Sequence, residues 1–427
     1  MTPAPPSPVT EAPENAGLDW ACRLLFGSDP RVVARRRGRP APAGFTRAEG
    51  YLALPRAANP RLLVPLGSPR AAAAALARNH DATSRTARLA RAALGAGLRI
   101  GLTQRLAPTP SRVDVFADPA LPAAERSQAL LSEHLRALYG RTDLEMAVIL
   151  GVPRLNRKPV LQVLAADGTV VGYVKAAWND LTVGLVRNEA RVLADLAVAG
   201  PDGAGPTTFT PPALVAAGPW GELELIAASA LPNAARPDAA AVFDPPMPVI
   251  AEIAGLWGRS AARLGGSPYW AGVRARLAAA VGASEVLRQA VDWVEGRYGG
   301  VTMAFGTWHG DFTPWNMARL DGATYLWDWE RAAPAPAGLD LVHFLFQSAC
   351  RFDGRTPSEA IDVCSARLAD LLPRLDVPLD SERALWAVYR LELLFRYDEA
   401  GAAGVLAKPS KIHAGVLEMF HRDMEAP

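Results

Sequence analysis

The feature that most narrows the possible fold is a change of pattern near residue 235. Before it, from about residue 140, short β-runs surround one helix; after it the chain reads as helices. "LEMAVILGVPR" is apolar and ends at Gly151. "KPVLQVLAADGTVVGYVKAAW" is two β-runs around Asp167-Gly168, a dipeptide that predicts a two-residue hairpin turn. A helix follows in "DLTVGLVRNEARVLADLA", with Asp180 as its cap, and then two β-like runs, "ALVAAG" and "ELELIAAS". Beyond residue 235, "MPVIAEIAGLWGRSAARL", "YWAGVRARLAAAV" and "SEVLRQAVDWVEGRYG" are of helical length, and helices resume at "LDLVHFLFQSACRF".

Residues 18–130 form a mixed region of unassigned role. "LDWACRLLFG", "SPRAAAAALARNH" and "SRTARLARAALGAGL" predict helices. "GYLALPRAANPRLLVPLG" predicts two strands around a turn, and "RIGLTQRLAP" and "RVDVFAD" read as further strands. The basic run "RVVARRRGRP" is read as a solvated face or loop in preference to a polyanion contact. "LPAAERSQALLSEHLRALYG" predicts one amphipathic helix. The proline-rich stretch 1–17 reads as a disordered tail and lacks the pattern of a signal peptide.

Bulk properties exclude several classes. The formal net charge of +2 argues against nucleic-acid binding as the main task. No apolar run is long enough to predict a membrane span. Cys22, Cys350 and Cys364 are far apart and odd in number, which suits buried thiols in a reducing, cytoplasmic setting. His80, His134, His413 and His421 have no ligand spacing, which argues against a zinc site.

The chemistry concentrates in "WHGDFTPWNM", Trp308–Met317. Asp311 on a proline-bearing loop is placed to take a proton from a hydroxyl. The amide oxygen of Asn316, five residues on, suits a hard cation such as magnesium. "MARLDGATYLWDW" then reads as a hairpin turning at Asp321-Gly322, which folds Asp328 back beside Asn316. Glu330 reads either as a further acid near the metal or as an ion-pair partner of Arg331, the second being favoured, and His343 is spaced to hydrogen-bond the loop. Trp315, inside the loop, reads as a core residue or as a ring that stacks on substrate.

His309-Gly310-Asp311 with Asn316, followed by Asp328-Trp329-Glu330 and Asp340, resembles the aminoglycoside phosphotransferase and choline kinase-like branch of the protein-kinase-like fold. The resemblance covers about residues 140–400 and implies a strand lysine and a helix glutamate, for which Lys175 and Glu189 stand in the right order. Singly, such a lysine is ordinarily a solvated charge and such a glutamate a helix former.

The implied fold is α+β, a two-lobed protein-kinase-like fold with a small antiparallel β lobe carrying one helix (131–232), a larger helical lobe (233–427) and a mixed N-terminal extension. The implied roles are Asp311 as base, His309 and Asp340 as braces of the loop, and Asn316 and Asp328 as magnesium ligands. Lys175 would neutralise ATP phosphates, with Glu189 holding its ammonium. One departure is that "LGVPRLNRKPVLQ" holds a single glycine where the family has a glycine-rich phosphate loop; Arg154, Asn156, Arg157 and Lys158 would contact phosphates instead. The implied partner is a small hydroxyl-bearing molecule, neutral or sugar-like in preference to a polycationic antibiotic, because acids only slightly outnumber bases beyond Phe344. A pseudokinase scaffold is the alternative, and a protein kinase is disfavoured by the short segment between Asp328 and Asp340.

Overall fold

The computed structural model describes residues 17–425 except 56–58, 78–84, 103–110, 152–156, 201–202, 204, 233, 236–241, 281 and 403–409. The tail at 1–17 lies, apart from residue 17, outside the described residues, as do Arg154 and Asn156. The chain clusters into two compact units. One comprises Met1–Val186 and Leu214–Asn233, the other Arg187–Ala213 and Ala234–Pro427.

The first unit begins with α1 (Leu18–Phe26), β1 (Val32–Arg36), β2 (Thr46–Leu54), β3 (Leu62–Pro65), α2 (Pro69–Ala77), α3 (Arg85–Arg99) and β4 (Arg112–Ala117). It continues with α4 (Ala123–Ala129), α5 (Leu131–Tyr139), β5 (Leu144–Ile149), β6 (Val160–Ala165), β7 (Val170–Ala177), β8 (Leu214–Trp220) and β9 (Leu223–Ser229). All nine strands form one antiparallel sheet in the order β1-β4-β2-β3-β5-β6-β7-β9-β8. The N-terminal strands join the later ones through β3 and β5, where Leu62 faces Ile149 and Leu63 faces Val148.

Alternation of side chains along these strands builds two layers. Tyr51, Ala53, Met146, Val148, Leu161, Val163, Val174 and Leu225 pack with Leu18 and Leu25 of α1 and Leu131 and Leu135 of α5. On the other face, Leu52, Leu62 and Val64 pack with Ala72, Leu76 and Leu98 of α2 and α3. Further hydrogen bonds close the first layer: Trp220 Nε1 donates to the Ser127 carbonyl at 2.9 Å and the Tyr139 hydroxyl to the Ala228 carbonyl at 3.3 Å.

The second unit holds the C-terminal half of α6 (Asp180–Ala197), then α7 (Met247–Gly255), β10 (Ser260–Arg263), α8 (Pro268–Ala279), α9 (Glu285–Tyr298), β11 (Thr302–Trp308), β12 (Met317–Leu320), β13 (Ala323–Leu326) and β14 (Ala333–Pro336). It ends with α10 (Leu339–Phe352), α11 (Pro357–Leu371), α12 (Glu382–Ala402) and α13 (Lys411–Glu425). β10, β11 and β14 form a three-stranded antiparallel sheet, and β12 and β13 a hairpin. The architecture is α+β, as the sequence pattern implies.

Five sequence expectations change. The basic run is a strand, β1, paired with β4; Arg31 is bonded to Asp29 and Glu125, and Arg36 to Asp19. The single helix expected before residue 140 breaks at Leu130, which is extended (φ −115°, ψ 118°). Ala129, Leu130, Leu131 and Ser132 are all buried, and one face of a continuous helix cannot bury four consecutive residues. The helix from Met247 stops at Gly255, because Ser260–Arg263 pairs with β11. The strand expected from Arg99 is instead the end of α3, closed by a turn in which Gly101 N–H donates to the Leu98 carbonyl at 3.0 Å; residues 103–110 lie outside the described set. The Asp167-Gly168 turn is a three-residue loop with a register shift, closed by Ala165 N–H on the Thr169 carbonyl at 2.8 Å.

Because β1–β4 share a sheet and a core with β5–β9, the chain starting at residue 131 loses one side of that core. Burying one large apolar side chain contributes about 1.5–3 kcal/mol, so several uncovered together exceed a typical domain stability of about 5–15 kcal/mol. The 131–427 fragment is therefore expected to aggregate or to elute as an expanded species in size-exclusion chromatography. A compact soluble fragment with a cooperative melt would contradict the shared core.

Candidate active site

The site grows from the end of β11, all within the second unit. His309, buried, ends the strand register at a loop whose backbone is held by Asp340 of α10. The Asp340 carboxylate accepts the His309 N–H at 2.7 Å and the Gly310 N–H at 3.2 Å. Its burial pushes the carboxyl up to about 7, against the pull of those two donors. The His309 ring lies against Trp329 with centroids 4.4 Å apart, and its Nε2 contacts the Trp327 carbonyl at 3.1 Å. Gly310 has φ +83°, and a Cβ there would meet the Arg331 carbonyl at 2.4 Å. Arg396 of α12 donates to the Gly310 carbonyl and stacks over Trp308 at 5.4 Å.

This scaffold presents Asp311. Asn316 Nδ2 donates to Asp311 Oδ2 at 2.7 Å and to its carbonyl at 2.9 Å, and His343 Nε2 lies 3.1 Å from Oδ1. The Asp311 side chain keeps 32% exposure, so it stays reachable. Burial alone would raise its carboxyl, but the hydrogen bond from His343 and the nearby Arg396 guanidinium hold it well below the usual carboxylate range. Asp311 is thus a charged acceptor at neutral pH. With its NH₂ committed to Asp311, Asn316 has Oδ1 as its side-chain acceptor for a cation.

The β12–β13 hairpin turns at Asp321 (φ 51°) and Gly322 (φ 82°), both left-handed as a two-residue turn requires. It returns the chain so that Trp327 N–H donates to the Asn316 carbonyl at 3.1 Å, which puts Asp328 next to Asn316. Asp328 itself is left-handed (φ 72°, ψ 52°), an uncommon state for a non-glycine residue. Carboxylate oxygens of Glu189, Asp328 and Glu330 lie within 4.8 Å of one another. Asn188, next to Glu189 on α6, ties the helix there by donating to the Glu330 and Ala332 carbonyls, each at 3.0 Å. Three such carboxylates are a hard-oxygen set that fits magnesium. Arg331 pairs with Glu399 at 3.8 Å, not with Glu330.

Of the first-unit candidates, Lys175 is half-buried on β7, opposite Val160 and Ile226 in the sheet. Lys158 is half-buried ahead of β6. Arg157 turns into the core: it is buried, donates to the Leu150 carbonyl at 2.6 Å and stacks over Trp20 at 4.7 Å. Burial and the nearby Arg61 bring its guanidinium down to about 10. Two residues of the site carry no motif in the sequence, Asn188 and Arg396. Only Asn188, adjacent to Glu189, stood near a residue already singled out.

No family model matches the chain, and no curated protein matches it. Among solved structures, the chain is similar to an aminoglycoside phosphotransferase in a ternary complex with ADP and hygromycin B (13% identity, 70% of this chain and 99% of that one, TM-score 0.44). It is similar to the choline kinase LicA from Streptococcus pneumoniae (13% identity, 70% and 98%, TM-score 0.41). It is also similar to the macrolide 2′-phosphotransferase MphH from Brachybacterium faecium (17% identity, 71% and 99%, TM-score 0.38).

Two outcomes follow from this geometry. Gly310→Ala forces a strained φ and a backbone clash, and is expected to lower stability by roughly 1–3 kcal/mol, read by thermal unfolding. Asp340 binds its proton more tightly folded than unfolded, so between its ordinary 3.8 and about 7 its contribution to stability falls as pH rises. Asp340→Asn is expected to flatten the pH dependence of the melting temperature across that window; an unchanged slope would show that Asp340 does not titrate there.

Proposed function

We propose that the chain is an ATP- and magnesium-dependent phosphotransferase that moves the γ-phosphoryl group to a hydroxyl of a small molecule. The observation that carries the reading is the Asp311 carboxylate, charged, reachable and fixed by Asn316 and His343, on a loop beside the Glu189–Asp328–Glu330 acids.

In this reading Asp311 accepts the hydroxyl proton as the new O–P bond forms and the bridging oxygen leaves with ADP. Asn316 orients the Asp311 carboxylate through its NH₂ and turns its Oδ1 to the cation. Asp328, with Glu189 and Glu330 beside it, holds magnesium, which when bound neutralises phosphate charge. His309 and Asp340 keep the loop backbone fixed so that Asp311 does not move during the transfer. Lys175 is assigned to the nucleotide phosphates, and Lys158 is the basic side chain of the preceding loop proposed to assist it. Arg157 is left out of that role, since its guanidinium is engaged with Leu150 and Trp20.

The acceptor is proposed to be a neutral sugar-like or amino-alcohol metabolite in preference to an aminoglycoside. Trp315 stands half-exposed between Asp311 and Asn316, and the exposed Arg351 lies over its ring at 4.6 Å. Phe352, 46% exposed, continues the aromatic surface at 6.2 Å from Trp315. A flat apolar face stacks on such rings, whereas a polycation meets the Arg351 charge.

Calorimetric titration tests the nucleotide site. ATP is expected to bind the parent only with magnesium, and Asp328→Ala is expected to abolish that dependence. Lys175→Ala is expected to weaken binding about tenfold or more. Magnesium-independent binding, or none, would overturn the reading. ADP release over a panel of hydroxyl compounds tests the acceptor class. Neutral sugars and amino alcohols are expected to be used in preference to kanamycin, and Arg351→Glu to narrow that difference.

A further inference from the structure

His343 is a fully buried ionisable group whose role the assignments above leave open. It sits one helical turn beyond Asp340 on α10, with 1% exposure. Its Nε2 lies 3.1 Å from Asp311 Oδ1, and its Nδ1 lies 3.0 Å from the hydroxyl of Tyr389 on α12, also buried. Gln347, one turn further along α10, donates from Nε2 to the same hydroxyl at 3.4 Å.

Only one assignment of hydrogens satisfies this chain. An ionised carboxylate is acceptor-only, so the bond to Asp311 needs a hydrogen on His343 Nε2. Burial disfavours the imidazolium, so Nδ1 carries no hydrogen and must accept. The Tyr389 hydroxyl is the donor in contact with Nδ1 and supplies that hydrogen, while its oxygen accepts from Gln347. The bonds therefore run one way: Gln347 to Tyr389, Tyr389 to His343, His343 to Asp311.

We propose that His343 is a positioning residue, held by Tyr389 in the Nε2–H tautomer, and that it fixes Asp311 with one oxygen bound and the carboxylate aimed at an incoming hydroxyl. The inference rests on the phosphotransferase reading for its kinetic consequence but not for its geometry. The logic is that of a base whose orientation and proton arrangement are set by a third group, here with histidine in the supporting place. Misplacing a reacting group by about 1 Å costs about 10²-fold in rate, so loss of this bond is expected in turnover and not in nucleotide affinity.

Two measurements on the full chain test it. The first is the tautomer of His343 by ¹⁵N NMR of histidine-labelled protein, assigned by loss of the signal in His343→Gln. The parent is expected to show Nε2–H, and Tyr389→Phe to move the signal toward a tautomer mixture. Hydrogen on Nδ1 in the parent would overturn the proposal whatever the protein catalyses. The second is hydrolysis of magnesium-ATP, with water as the acceptor. His343→Ala is expected to lower kcat about 10²-fold with KM for ATP within twofold of the parent. His343→Gln, which can place an N–H near Nε2, is expected to recover at least about tenfold of that loss. Equal loss in both variants, tracking a fall in melting temperature, would make His343 a packing residue only. If Asp311→Asn hydrolyses ATP at the parental rate, the phosphotransferase assignment of Asp311 fails, and the NMR result alone decides the tautomer lock.

Discussion

The site depends first on one buried carboxylate. Asp340 accepts two consecutive backbone N–H groups, His309 and Gly310, at the point where β11 ends and the chain would otherwise leave buried donors unpaired. Both oxygens are used, so the peptide units are fixed in position and in tilt. Gly310 can follow that path because it adopts φ +83°, and Arg396 takes its carbonyl from the other side. With donors and acceptor of the same turn both satisfied, Asp311 emerges at a set height and direction. Everything chemical in the second unit is referred to that turn.

Electrostatics then separate two aspartates that lie close together in the same unit. Asp340 is wrapped in protein, and burial raises its carboxyl despite two hydrogen bonds. Asp311 also feels burial, yet His343 and Arg396 outweigh it, so it stays charged. The difference is one of partners. Arg396 pulls on both carboxyls; Asp340 has only neutral peptide donors beside that charge, whereas Asp311 also takes the His343 hydrogen bond. A structural acid and a chemical acid are thus distinguished by which neighbours α10 and α12 bring up to them.

Legibility in the sequence follows the range of each interaction. His309, Gly310, Asp311 and Asn316 fall within eight positions, so their meeting on one loop follows from spacing. Asp328 comes back to Asn316 because Asp321-Gly322 is a turn with a known stereochemical demand. His343 was recognisable as a neighbour of the loop from its place one turn after Asp340, but its second partner was not. Tyr389 lies on α12, and its approach depends on how α10 and α12 pack, which no local pattern encodes. The same holds for Glu330. Its neighbour Arg331 suggested a local ion pair, but the 3-10 turn at Trp329–Arg331 sends the two side chains to different partners, the acid toward Glu189 and the guanidinium toward Glu399. In the first unit the helices and strands were largely readable one by one, whereas the joining of β3 to β5, which makes two regions one sheet, is a long-range pairing that periodicity cannot reveal.

The missing glycines between β5 and β6 follow from the same difference in range. A glycine-rich loop brings backbone N–H groups to an anion, and its glycines exist to let the backbone come close. Here the guanidinium of Arg157, just ahead of β6, is bonded to the Leu150 carbonyl and lies over Trp20. Trp178 Nε1 donates to the Arg157 carbonyl at 2.8 Å, so both ends of that residue are tied into the N-terminal layer. Trp20 belongs to α1, whose Leu18 and Leu25 pack on the extended sheet. The anchoring of this loop end is therefore a property of the extended sheet. The N-terminal region thus reaches the connection ahead of β6 through packing, by holding Arg157 in the core.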